Sequence, residues 1–234
     1  MSIDHDVLLF AVFPYVAFVL RQIVEIQRYA GRPFTFSSLS SQFLENRHHF
    51  WGSVPFHYGL LTVLAGHFVA FLVPRGILLW NGHPLRLYIL ELSAFVFGVL
   101  ALVGIVNIIL RRFFNPKLMV VTSVMDRVLF GVLFFQMLSG LSIAVFYRWG
   151  SSWYASAMSP YLWSLVTLRP DISFIAPMPL LVKFHVANAY LILALIPYSR
   201  LVHFLVAPFP YLWRRPQIVR WNYDRRRIRM EEPR

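Results

Sequence analysis

Five stretches of this chain, residues 8–28, 54–73, 87–110, 128–147 and 182–207, are long and apolar enough to cross a bilayer, which takes about 20 mostly apolar residues. That feature narrows the fold to an all-α integral membrane bundle, because a helix satisfies its own backbone inside hydrocarbon. Composition agrees. Of 234 residues, 58% are hydrophobic and only 14% are charged, against roughly 25% charged in soluble domains. The second and fourth stretches hold no Lys, Arg, Asp or Glu. The first carries Arg21, Glu25 and Arg28 near its end; Arg21 and Glu25 are spaced to pair at i, i+4, and Arg28 to snorkel to the interface.

The formal net charge of +12 would suit nucleic acid in a soluble protein. In a membrane protein the distribution of charge matters more, because basic residues gather on cytoplasmic loops. With five spans, 17 of the 22 Lys and Arg fall on one side. They are Arg21, Arg28, Arg32 and Arg47 around the first connection, Arg111, Arg112, Lys117 and Arg127 around the third, and nine arginines from Arg200 to Arg234. The expected orientation places the N-terminus outside and the C-terminus in the cytoplasm of a cell-membrane protein, with lipid rather than nucleic acid as surroundings. The opening MSIDHDVLL lacks a basic n-region and a cleavage site, so the first span is expected to stay in the mature protein. The expected domains are a five-helix unit over 1–209 and a basic cytoplasmic tail over 210–234. The connection 148–181, with Trp149, Trp153 and Trp163, is expected to lie along the headgroup layer as an interfacial loop.

There is no cysteine, which excludes thiolate-held clusters and covalent c-type haem. Of eight histidines, His5, His48, His49 and His83 lie outside the spans. His57 and His67 lie in span two, and His185 and His203 in span five. Ionisable groups at membrane depth are costly and by default suggest function. The two spans run in opposite directions, so depth pairs His57 with His203 on the cytoplasmic side and His67 with His185 on the outer side. Each pair can supply both axial ligands of a non-covalent b-type haem; two histidines per level leave a structural zinc site short of ligands. Hydrogen bonding between helices is the alternative role. On a straight helix, His185 and His203 leave the same face about 27 Å apart, whereas His57 and His67 are about 15 Å apart. Tilt, oblique haem planes or a bend at Pro197 must absorb the difference.

Ordered short motifs then carry a resemblance: FPY at 13–15, RYAG at 28–31, SSQFL at 40–44, FH at 56–57, GHF at 66–68, RRFFNP at 111–116, Asp126 and Gln136, FHV at 184–186, PYSRLVH at 197–203, and YLWRRPQIVR at 211–220. Over residues 10–220 the chain resembles the gamma subunit of respiratory nitrate reductase. The resemblance implies an outer haem on His67 and His185 and an inner haem on His57 and His203. It implies quinol oxidation near the outer haem and electron transfer to an iron–sulfur subunit, then to a molybdenum-containing subunit that reduces nitrate. This chain alone should not reduce nitrate. The family's lysine at the quinol pocket falls at Arg86, where a planar guanidinium keeps the charge but does not easily lose a proton.

Gly66, beside His67, would allow close approach of a haem or quinone, and Arg200, one turn before His203, suits a haem propionate. Asn188 and Tyr190 are expected to hydrogen-bond between helices. The tail up to Arg220 is expected to face the iron–sulfur partner. Other assignments the residues leave open are the same cytochrome serving another molybdoenzyme or a sulfur-metabolism complex, nitrite oxidation in reverse, and a haem-free membrane anchor.

Overall fold

Prolines punctuate this chain at the starts of its helices. Pro74, Pro84 and Pro116 each occupy a first-turn position, where a missing N–H costs nothing. The computed structural model describes residues 5–36 and 49–206; the basic tail expected over 210–234 lies outside the described residues, as do His48 and the SSQFL motif. The helices are α1 His5–Gly31, α2 His49–Leu72, α3 Pro74–Asn81, α4 Pro84–Phe114, α5 Pro116–Val120, α6 Val124–Phe146, α7 Gly150–Trp153, α8 Ser159–Val166 and α9 Leu180–Leu195. Five of them, α1, α2, α4, α6 and α9 with its following turn, are long and apolar enough to cross a membrane. The fold is all-α, and the chain is a multi-pass membrane protein.

The long helices pack in the order α2, α4, α6, α9, α1. Glycine makes the α2–α4 seam. A Cβ on Gly104 would stand 2.3 Å from the Phe56 backbone nitrogen, and one on Gly59 would stand 2.5 Å from the Ala101 nitrogen. Small residues let membrane helices approach this closely, and dispersion then holds them. Two buried clusters result. One, around Phe56, Ile105, Leu129 and Leu133, fills the His57 end. The other, around Phe10, Ile143, Tyr161, Ile175 and Val182, fills the His185 end. Outward positions such as Leu61, Leu64, Val96, Val103 and Phe135 are exposed, as a surface bathed in lipid requires.

The connection after α6 differs from the expected interfacial loop. It folds as α7, a π-helical turn Tyr154–Met158 and α8, and it buries Tyr161 and Ile175 completely. It also completes the backbone of other helices. Pro74 has no N–H to give the Ala70 carbonyl, and the Ser159 hydroxyl donates to that oxygen at 2.9 Å. Trp163 Nε1 donates to the Phe71 carbonyl at 2.9 Å. Tyr161 Oη donates to Phe10 O at 2.7 Å, inside a second π-helical turn, Leu8–Val12. Trp149 enters α7 in the left-handed region, with φ 67°, a conformation that costs energy for a bulky residue. Just beyond it, Glu91 Oε1 accepts from the Ser151 backbone N–H at 2.8 Å and from its hydroxyl at 2.6 Å.

Span five also departs from expectation. Its α-helix stops at Leu195; a 3-10 turn covers Ile196–Tyr198, Ser199 is extended, and a further 3-10 segment runs over Arg200–Val206. Pro197 therefore ends the helix instead of bending it. Arg28 was expected to snorkel, but it turns inward to this break. Its Nη1 donates to Pro197 O at 2.6 Å and to Ser199 O at 2.9 Å. Backbone freed from helical pairing at membrane depth needs such a partner. Arg21 and Glu25 do form the expected i, i+4 pair, at 2.9 Å.

Candidate functional site

His57 and His203 face each other. Their ring centroids are 6.1 Å apart with planes inclined by 69°. A metal held between two imidazole nitrogens at about 2 Å each would set the centroids roughly 6 Å apart, so the spacing fits a shared axial role. His57 sits in the interior of α2, two residues beyond Pro55, while His203 sits on the 3-10 segment, off α9. The Arg200–His203 turn is tied to its neighbours. Arg200 Nε lies 3.2 Å from Asp126 Oδ1, and an Arg200 Nη2 donates to Val121 O at 2.8 Å. Asp126, only 3% exposed, also closes a capping box with Ser123 at the start of α6. The guanidinium expected at a propionate is thus engaged by a carboxylate. Arg112 lies within electrostatic reach of both Arg200 and Asp126, and its buried Nε has no hydrogen-bond partner among the described residues.

At the other end, His67 and His185 lie within electrostatic reach of each other. His67 also meets the Tyr154 ring edge-on, with centroids 5.1 Å apart. His185 is pressed onto α6. A Cβ on Gly140 would come within 3.0 Å of His185 Cε1, so glycine there makes the ring's cradle. Gln136 Oε1 accepts from Asn188 Nδ2 at 2.7 Å. That orients its amide to donate to His185 Nε2, 3.1 Å away. Asn188 also donates to Val132 O at 3.0 Å, and Tyr190 Oη donates to Tyr161 Oη at 3.1 Å. Both are the interhelix contacts expected of them.

The four imidazoles share one device. Nδ1 lies 2.7 Å from Ser53 O in His57, 2.8 Å from Val63 O in His67 and 2.7 Å from Arg200 O in His203. Carbonyls only accept, so Nδ1 carries the proton and Nε2 keeps its lone pair. In His185, Nδ1 lies 2.9 Å from Ser139 Oγ, whose own proton goes to Gln136 O. Metal-binding histidines characteristically give their second N–H to such an acceptor. Among the described residues no three or more of His, Cys, Asp or Glu gather to hold an ion. Paired imidazoles suit instead a group that brings its own equatorial nitrogens; the His57–His203 spacing and the Nδ1-bound protons fit haem, and at His185 an iron would have to replace the Gln136 amide on Nε2.

The residues expected at a quinol pocket divide. Gly66 is open, with nothing within 4 Å of a Cβ there, and His67 beside it is exposed. Arg86 is also exposed, but its guanidinium stacks on Trp80 at 5.4 Å, and Trp80 Nε1 donates to Arg86 O at 3.1 Å. Those contacts anchor Arg86 to α3. Sequence reasoning missed Ser139 and Tyr154 here; both are ordinary residue types, and neither lies on a span that carries a histidine.

Comparison with known proteins gives the relationship. The family model described as nitrate reductase gamma subunit matches residues 6–222. The chain is 32% identical to the nitrate reductase gamma chain of Bacillus subtilis (strain 168), over 88% of this chain and 94% of that protein. It is 30% identical to the respiratory nitrate reductase 2 gamma chain of Escherichia coli (strain K12), over 92% and 96%. It is also 29% identical to the nitrate reductase-like protein NarX of Mycobacterium tuberculosis (strain ATCC 25618 / H37Rv), over 91% of this chain and 33% of that longer protein. The chain belongs to the nitrate reductase gamma subunit family.

Proposed function

We propose that this chain is the dihaem cytochrome b subunit of a quinol:nitrate oxidoreductase complex. In this reading His57 and His203 hold an inner haem and His67 and His185 an outer one. The N-terminus is outside, the C-terminus is cytoplasmic, and the tail up to about Arg220 faces an iron–sulfur subunit that feeds a molybdenum-containing subunit. The observation that carries the reading is the double pairing of imidazoles, each with Nδ1 held by a protein oxygen.

When bound, a haem at each pair supplies a one-electron carrier, and two carriers at different depths span the hydrocarbon. The chain's own contribution is to hold four rings in one tautomer and to keep the pairs at separate levels. The guanidiniums of Arg200 and Arg112 make the His203 end positive, which supports a propionate being held there. Gly66 and His67 offer an open face for quinol at the other end, and Arg86 places a cation near the start of α4.

The visible spectrum of the purified chain tests the reading. The expected result is reduced b-type absorbance with two haems per chain. His67→Ala and His185→Ala should each lose one haem and reduction by quinol. A colourless folded protein would overturn the dihaem assignment, and a C-terminal reporter reached only from outside the cell would overturn the orientation.

A further inference from the structure

Tyr154 stands where the irregular connection touches a candidate iron ligand. It opens the π-helical turn Tyr154–Met158, and its ring lies edge-on to the His67 imidazole. A π turn interrupts regular helix and recurs at functional positions. This one aims an aromatic residue at the open side of α2.

Neighbouring tyrosine hydroxyls are all used within the protein. Tyr15 donates to Leu165 O at 2.9 Å, Tyr161 to Phe10 O and Tyr190 to Tyr161. Among the described residues the Tyr154 hydroxyl has no hydrogen-bond partner, although the side chain is half-buried. The hydroxyl is not sealed inside the protein, so it is open to a ligand that brings an acceptor. Space for one lies alongside, at exposed His67 and open Gly66. One turn further along α2, Phe71 stacks on Trp163 with centroids 4.8 Å apart, an apolar wall next to the polar point.

His67 has no proton to spare for a ligand at this place. His67 Nδ1 gives its proton to Val63 O, and its Nε2 is assigned to iron in the reading above. Arg86 is stacked on Trp80. An aromatic ring bearing oxygens that arrives beside His67 therefore needs a donor from another element.

We propose that Tyr154 is a quinol-binding residue, whose hydroxyl donates a hydrogen bond to one ring oxygen of a quinone or quinol held beside His67 and Gly66. The inference rests on the quinol-oxidising reading and adds a residue to its site.

The experiment compares the wild-type haem-loaded complex with Tyr154→Phe, using decylbenzoquinone as the probe. Binding is followed by quenching of tryptophan fluorescence and turnover with the reduced probe. Loss of one hydrogen bond should weaken binding about tenfold and raise KM similarly. Haem absorbance should be unchanged and kcat should stay within about twofold. If Tyr154→Phe binds the probe as tightly as wild type, the inference falls and the quinol reading stands. If Tyr154→Phe loses haem absorbance, the residue supports His67 structurally and the binding role is overturned. If the wild-type complex itself binds no quinone, both fall together.

Discussion

Ser139 Oγ on α6 lies 2.9 Å from Nδ1 of His185 on α9, whereas the other three imidazoles use carbonyls of their own segments. A carbonyl travels with its helix; a hydroxyl from a second helix ties ring orientation to the fit between the two. Acceptors at Nδ1 raise the electron donation of a coordinating ring. Ser139→Ala should therefore raise one of two midpoint potentials and leave the other in place, with two haems still bound. A redox titration that moves neither, or both equally, would remove Ser139 from this role.

Asp126 serves two structures at once, the capping box of α6 and the anchor of Arg200. Asp126→Asn keeps the shape but weakens both, and about 2–3 kcal/mol should be lost, since hydrogen bonds to charged groups contribute about 1.5–3 kcal/mol and a cap about 1. Thermal unfolding in detergent measures the loss. The spectral change should appear first in the haem on His57 and His203, because Arg200 carries both the ion pair and the carbonyl that orients His203.

Arg28 bridges two carbonyls with one nitrogen and holds Thr35 with others. Lysine has the charge but not the planar fork. Arg28→Lys should cost about 2 kcal/mol, whereas Glu25→Gln, which breaks only the i, i+4 pair, should cost about 0.5 kcal/mol. Equal losses from the two changes would count against an anchoring role for Arg28.

Two glycines make opposite predictions. Gly104→Ala drives a methyl group into the Phe56 backbone, and rigid atoms cannot yield that distance. Folded yield should drop sharply, and the His57 haem with it. Gly131→Ala meets nothing within 4 Å and should be neutral or stabilising by about 0.5–1 kcal/mol, the usual gain from alanine in a helix. Size-exclusion profiles of the two variants would separate the cases.

Much of this architecture is legible in the sequence. Apolar runs located four spans and the start of the fifth to within a few residues, because membrane helices are selected on length and hydrophobicity, both read directly from the sequence. The histidine pairing by depth followed from span direction alone. Span five misled after Leu195: a periodic pattern assumes one continuous helix, and Pro197 with Ser199 ends it, so His203 is displayed by a 3-10 segment. The connection over 148–181 also misled. Its tryptophans suited a headgroup layer, but Tyr161, Ser159 and Trp163 are spent on carbonyls of α1 and α2, and such long-range partners leave no local pattern. Arg28 looked like an interface cation for the same reason, and the Asp126 partner of Arg200 left no local pattern either.

The helical break between Leu195 and Arg200 bears on how the protein is made. The segment that carries His203 is set in place by Arg28 from the first helix and Asp126 from the sixth. Both precede it in the chain, so the groups that seat His203 are synthesised before it. His185 needs only its own helix and α6. Order of synthesis and order of dependence therefore coincide for the segment that carries His203.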